Sequence, residues 1–284
     1  MFRRTAGRSV LSRGRAGVSR AYREPGRFLL RLRRKILRDR LIVVIGSGHR
    51  VGSTWLYRMV KEAGRLDSGK APSQLPFRAA GSLLREPTTP AELRRLRGYV
   101  ILKTHSLPPV SNDYDPAVKF VTVFRDPRDV LVSASFFLAH LDTDRGGWGH
   151  EFQELSVSER IEALLAWSRL LQELEEWYRT PLALKVKYEE LKARPVEQLE
   201  DILAWLGLPV KRSVVESAVQ KESFATRAGR RPGEESEELP MRKGIIGDWH
   251  NHFDSSMITS FKNKHDTRWN RLLVEMGYEE TLDW

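Results

Sequence analysis

LIVVIGSGHRVGSTWLYRM, residues 41–59, decides how this 284-residue chain folds. Leu41 to Ile45 is an apolar, largely β-branched run too short for a free-standing helix. Ended by glycine, it reads as a buried parallel strand. Gly46, Gly48 and Gly52 follow, in a loop whose backbone can turn sharply and approach a ligand closely. Ser53 and Thr54 then open a helical pattern with Trp55, Leu56, Met59 and Val60 on its apolar side. Strand, glycine loop and helix N-terminus together make a grip for phosphate. The nucleoside-triphosphate version of this loop ends in Gly-Lys-Ser/Thr. Here Gly52 runs directly into Ser53, and the nearest cation is Arg50, inside the loop. The loop suggests a phosphate of another kind; taken alone, it reads equally well as plain strand-to-helix packing.

Composition narrows the class. A hydrophobic content of 40% is ordinary for a globular chain of this length. There is no cysteine, which excludes disulfides, thiolate catalysis and thiolate metal sites, and fits a reducing, cytoplasmic location. No run approaches the roughly 18 apolar residues of a membrane span, and the N-terminus lacks the apolar stretch of a secretory signal. The net charge of +11 suggests a nucleic-acid binder until it is located. Residues 1–40 hold 14 Lys/Arg against Glu24 and Asp39, whereas the remaining 244 residues are almost neutral. The high pI therefore belongs to a tail, and no specific nucleic-acid partner is expected.

Two parts follow: a basic extension, 1–40, and one folded domain, 41–284. Residues 1–21 have no periodicity and read as disordered. Between Tyr22 and Arg38, Phe28, Leu29, Leu32, Ile36 and Leu37 recur at helical spacing among arginines. This basic amphipathic segment reads as a helix packed on the domain, as a peripheral membrane contact through residues 22–40, or as an organellar transit peptide.

Along the domain, further strands are expected at Tyr99–Lys103, Lys119–Phe124 and Leu182–Lys187. Helices are expected near Pro90–Leu96 and at Val130–Leu138, with Asp126 as N-cap and Pro127 in the first turn. Ser158–Tyr178 follows as a strongly periodic helical stretch whose stripe, Trp167 included, reads as core. Others fall at Pro195–Leu206, Val214–Gln220, Ser255–Lys262 and Thr267–Met276. Residues 140–155 and 225–240 read as loops. Strands alternating with helices predict one α/β, P-loop-like domain with a mainly parallel central sheet flanked by helices.

Four stretches in order carry a resemblance. They are His49-Arg50-Val51-Gly52-Ser53-Thr54-Trp55, Lys103-Thr104-His105, Phe124-Arg125-Asp126-Pro127-Arg128-Asp129-Val130 through Ser133, and Arg242-Lys243-Gly244-Ile245-Ile246-Gly247-Asp248-Trp249. With Tyr188-Glu189-Glu190-Leu191 between the last two, the chain resembles the PAPS-dependent sulfotransferases, particularly the cytosolic type, across roughly residues 40–278. The first stretch is similar to the family's 5′-phosphosulfate loop, usually Pro-Lys-Ser-Gly-Thr-Thr-Trp. The second matches the motif of its catalytic histidine, the third its 3′-phosphate strand and helix, and the fourth its C-terminal signature.

The resemblance implies PAPS as co-substrate, without a metal, in an in-line transfer of a sulfuryl group to a hydroxyl or amine. It implies His105 as general base, with Lys103 and Arg50 stabilising charge on the transferring and leaving groups. Arg50, Val51, Gly52, Ser53, Thr54 and Trp55 would hold the 5′ end. Arg125, Ser133, Arg242, Lys243 and Gly244 would converge on the 3′-phosphate, where charge-assisted hydrogen bonds are strongest. Trp55, Tyr188 and Phe224, with Ser223, would surround adenine. Arg50 departs from the usual lysine; arginine neutralises an oxyanion but is a poor proton donor. Glu222 stands near adenine where a hydroxyl residue is usual. His250, Asp254, Ser255 and Thr259 do not match the family's dimer motif, so that dimer is not predicted and the oligomeric state stays open.

The alternatives are a P-loop kinase or NTPase, which would need Asp126 or Asp129 as its Mg²⁺ ligand, and a non-catalytic PAP-binding module. The acceptor has no diagnostic pattern. Phe136, Phe137 and Trp148 hint at an apolar wall, and Arg227, Arg230 and Arg231 at an anion. His250 and His252 read as surface residues.

Overall fold

The computed structural model describes residues 40–66, 78–79, 90–96, 98–109, 114–140, 150–208, 210–236 and 241–284. The expectations for residues 1–39 lie outside these, as does Trp148.

The elements follow the expected alternation. β1 (Arg40–Gly46) leads into α1 (Ser53–Leu66), then β2 (Arg78–Ala79), α2 (Pro90–Arg95) and β3 (Gly98–Thr104). β4 (Val118–Phe124) is followed by α3 (Pro127–Ala139), α4 (His150–Glu154), α5 (Val157–Trp167) and α6 (Arg169–Arg179). β5 (Ala183–Lys187), α7 (Tyr188–Ala193), α8 (Pro195–Leu206), α9 (Arg212–Lys221) and α10 (Phe224–Ala228) come next. A 3₁₀ turn at Asp248–Asn251, α11 (Ser255–Asn263) and α12 (Arg268–Glu275) complete the described chain.

The five strands are all parallel, in the order β2-β3-β1-β4-β5. β1 is central, and its side chains alternate between two cores. Leu41, Val43 and Ile45 join the larger cluster with Leu56, Met59, Leu131 and Ile161. Ile42 and Val44 join a smaller one with Leu102, Phe120 and Trp177. Burial on both faces is why this strand is a continuous apolar run. The order reverses beside β1, so the carboxyl ends of β1, β3 and β4 open on one crevice, the place where parallel sheets bind ligands.

Register then sets what enters that crevice. Gly46 pairs with Thr104, which puts Ser47 beside His105. Phe124 pairs with Lys187, which puts Arg125 beside Tyr188.

α3 begins where Asp126 and Pro127 are expected to start it: the Asp126 carboxylate accepts from Arg128 N and the proline's missing N–H costs nothing there. Several other boundaries differ from expectation for local reasons. The long periodic stretch is two helices, since Ser168 takes a left-handed conformation (φ 59°) that closes α5 and opens α6. Trp167 is consequently 47% exposed instead of joining the core. Beyond the break, α6 runs beneath the glycine loop: a Cβ on Gly46 would sit 2.0 Å from the Trp177 ring, and one on Gly48 would sit 2.9 Å from Leu174 N. The stretch read as a loop at 140–155 contains α4, whose Phe152 is buried. The one at 225–240 begins with α10, capped by Ser223.

Candidate active site

At the centre of the crevice, the His105 ring is held by its edges. Nδ1 lies 3.0 Å from the Ser47 carbonyl oxygen. A carbonyl only accepts, so Nδ1 carries the proton and Nε2 keeps a lone pair. Lys103 Nζ donates toward that lone pair at 2.6 Å. Burial first, and the Lys103 charge second, push the His105 pKa down to about 4. The imidazole is therefore neutral at physiological pH.

Arg50 has a left-handed backbone (φ 64°) that turns its side chain toward α3. Its Nε donates to Ser133 Oγ at 3.1 Å, and its guanidinium lies 4.2 Å from the Phe137 ring centroid. Burial, then Arg125 and Arg242, lower its pKa to about 10, so it is still a cation at neutral pH. The resemblance divides Arg50 and Ser133 between two ends of a nucleotide; the structure joins them by a hydrogen bond.

Next to them, α1 starts at Ser53 with its first amides at the crevice. Gly52 (φ +92°) supplies the turn, and a Cβ there would meet the Tyr188 ring at 2.6 Å. Val51 is fully buried and anchors the loop. Trp55 meets Tyr188 edge-on, with centroids 6.3 Å apart. Its buried Nε1 has no hydrogen-bond partner among the described residues.

The other end of the crevice is rich in ion pairs. Arg125 donates to Asp129 Oδ2 and to the Ile245 carbonyl, both at 3.1 Å, and lies over the Tyr188 ring at 4.7 Å. Its Nε is buried without a partner among the described residues. Although burial disfavours its charge, Tyr188, Asp129 and Glu189 hold its pKa above the ordinary value. Arg242 pairs with both Glu235 and Asp248 and lies over Phe136 at 4.1 Å. Lys243 Nζ is 3.0 Å from Asp248 Oδ1 and 3.5 Å from Glu235 Oε2. Burial alone would raise the Asp248 pKa, but hydrogen bonds from His252, Asn251, Lys243 and Arg242 hold it well below the carboxylate range. Gly244 (φ +62°) lies so close to Phe224 that a Cβ would come within 2.5 Å of its ring.

Some expectations need correcting. Ser223 uses its hydroxyl to cap α10, accepting from Thr226 N and donating to Thr226 Oγ1. Glu222 is buried and grips Arg227 at 2.6 Å through both oxygens, so it is not an open contact near adenine. The arginines read as an acceptor-side anion site have internal partners: Arg227 this carboxylate, Arg231 Glu234, and Arg230 the carbonyls of Met241 and Arg242. Phe136 is core, not an acceptor wall. His252 is no plain surface residue, lying 3.5 Å from Asp248 and edge-on to Phe136.

The P-loop kinase reading loses its metal ligands. Asp126 holds the buried Arg128. Asp129 accepts from Gly247 N at 2.9 Å and Trp249 N at 3.0 Å, pinning the C-terminal signature to α3. Sequence reasoning missed this pin, and it missed Glu235, whose surroundings carry no periodic signal.

The sequence profile described as the sulfotransferase domain matches residues 42–271. The chain belongs to the sulfotransferase family. Mouse sulfotransferase 1A1 is 29% identical over 247 residues, covering 77% of this chain and 81% of the relative. Human sulfotransferase 1C2 is 27% identical over 172 residues, covering 54% and 56%. Among solved structures, mouse sulfotransferase SULT7A1 complexed with PAP superposes with a TM-score of 0.56 at 20% identity, over 83% of this chain and 84% of that one. Retinol dehydratase complexed with androsterone and PAP gives 0.57 at 17% identity, over 82% and 80%. These two likenesses confirm the fold. The sulfotransferase transfers a sulfuryl group from PAPS to an acceptor. The buried donors Arg125 Nε and Trp55 Nε1, unpartnered among the described residues and each on a side chain that contacts Tyr188, suit an anionic nucleotide of this kind.

Proposed function

We propose that His105 is the general base that takes the proton from the acceptor's hydroxyl or amine. One observation carries this: Nδ1–H is anchored on the Ser47 carbonyl while the Nε2 lone pair faces Lys103 and the crevice. When bound, PAPS supplies the sulfuryl group and an adenosine 3′,5′-bisphosphate leaving group. Lys103 turns its ammonium from His105 to the transferring group. Loss of that neighbouring charge raises the His105 pKa, so the base strengthens as the reaction begins. Arg50 neutralises the leaving phosphate; with a pKa of about 10 it holds charge and does not donate its proton.

Backbone amides at Gly52, Ser53 and Thr54 hold the 5′ end. Arg125, Ser133, Arg242, Lys243 and Gly244 hold the 3′-phosphate, and Trp55, Tyr188 and Phe224 hold adenine. Arg40, placed in the extension by its sequence, opens β1 and pairs with Gly98, so residues 40–284 form the catalytic domain in this reading. Residues 1–39 are an extension whose basic composition supports a peripheral membrane contact through 22–39, on a protein of the cytoplasm.

The test is a transfer screen with labelled PAPS over phenols, aliphatic alcohols, amines, sugars and lipids, run on the wild type and on His105→Ala. Wild type is expected to add one sulfuryl group to an acceptor class. His105→Ala should lose about 10²–10⁴-fold in kcat while still binding PAP. Full activity in His105→Ala overturns the assignment.

A further inference from the structure

The glycine loop contains a histidine that no step above uses. The His49 ring lies face to face with His105, with centroids 3.9 Å apart and planes 20° from parallel. Its Nε2 is 3.6 Å from Glu173 Oε2 on α6. The Glu173 side chain is only 9% exposed and also receives Arg169 Nε at 3.1 Å, which fixes the carboxylate. Two elements thus brace His49: the loop that carries it, held against α6 at Gly46 and Gly48, and Glu173 one residue before the Leu174 contact.

We propose that His49, oriented by Glu173, is a positioning residue for the general base. The inference rests on His105 acting as proposed above. Before reaction the His105 ring is held by the Ser47 carbonyl at Nδ1, by the Gly48 backbone and by Lys103 at Nε2. Once Lys103 turns to the transferring group, Nε2 loses that brace. A ring held only at its backbone contacts can tilt about them and carry Nε2 off line. The His49 face blocks that tilt, keeping the lone pair aimed at the acceptor throughout the step. Small misplacements of a reacting group cost up to about 10²-fold in rate, so a stacked face is enough to matter. The His49 side chain is 48% exposed, so its removal leaves the fold intact.

The experiment compares His49→Ala, His49→Phe and Glu173→Gln with the wild type. It uses labelled PAPS, the acceptor found in the screen and PAP titration. His49→Ala should lower kcat about tenfold with PAP affinity within twofold. His49→Phe, which restores a stacking face without ring nitrogens, should recover most of the loss, and Glu173→Gln should fall between. Imidazole ¹⁵N NMR, which needs no acceptor, should show His105 as the Nδ1–H tautomer in the wild type and as a mixture in His49→Ala. In an His105→Ala background, His49→Ala should cost nothing more, because it acts through His105. An unchanged kcat, a parallel loss of PAP affinity, failure of phenylalanine to rescue, an unaltered tautomer or an additive loss in the double variant would each overturn the positioning role. Failure of the His105 reading itself shows separately, as activity in His105→Ala alone.

Discussion

The two ends of the nucleotide crevice are built on opposite electrostatic plans. At the reaction end, His105 and Arg50 both have pKa values depressed by burial and by neighbouring cations. At the end proposed for the 3′-phosphate, Arg125 is raised and Asp248 is lowered, so both are held firmly in their charged forms by partners. The first end has excess positive charge packed around neutral amides and is poised for an anion. The second is already neutralised by Asp129, Asp248 and Glu235. In the proposed reading, an incoming sulfuryl group would relieve the repulsion between cations, whereas an incoming 3′-phosphate would compete with carboxylates. Binding energy would then be concentrated where charge moves during reaction, which is where it accelerates the step.

The sharpest way to break this contrast is Gly52→Ala. The added Cβ faces the Tyr188 ring at 2.6 Å in a backbone conformation that favours glycine. With strain of about 1–3 kcal/mol falling on the amides of the 5′ end, PAP affinity should drop on the order of a hundredfold by calorimetry. Unchanged affinity would mean that the loop amides are not the main anion grip.

A smaller effect tests the repulsion at the reaction end. Lys103→Met should raise the His105 pKa toward 6.5 without reaching it, because burial is the larger cause and persists. NMR titration of the ring reads this directly, and no movement would remove Lys103 from the account. The sign for stability follows. An unfolded histidine takes its proton near 6.5, but the folded one does so only near 4, so stability falls as pH drops through that window. Lys103→Met should therefore show a shallower fall in Tm between pH 6.5 and 4 than the wild type.

The smallest effect belongs to the 3′ end. Glu235→Gln removes one carboxylate competing for Arg242 and Lys243. Glu235 is half-exposed, so the gain is under about 1 kcal/mol, a few-fold tighter PAP binding that fades at high salt. Weaker binding would show that Glu235 holds these cations ready instead of screening them.

The frame of the site was legible because it rests on short local rules. An apolar run ended by Gly46, a cap at Asp126 with Pro127 behind it, and three further strands place the loop, His105, Arg125 and Tyr188 at one edge. The remainder depends on contacts across long sequence separations. Nothing around Glu235 announces that it will meet Arg242, and Asp129 reads as a helix acid until Gly247 and Trp249 reach it. Helical periodicity continues straight through Ser168, so the break that sends α6 under the loop is invisible without its left-handed backbone. The same break brings Glu173 to His49, which is why that pair could not be foreseen.

Asp129 has a consequence for biosynthesis. Its two acceptor bonds to Gly247 and Trp249 span 118 and 120 residues. During translation, the central sheet and glycine loop can form while this partner segment is still inside the ribosome. A chain released before Trp249 would lack this pin together with the core side chains Phe253, Phe261, Trp269 and Leu273, so the end of synthesis completes the crevice and the larger core in one step.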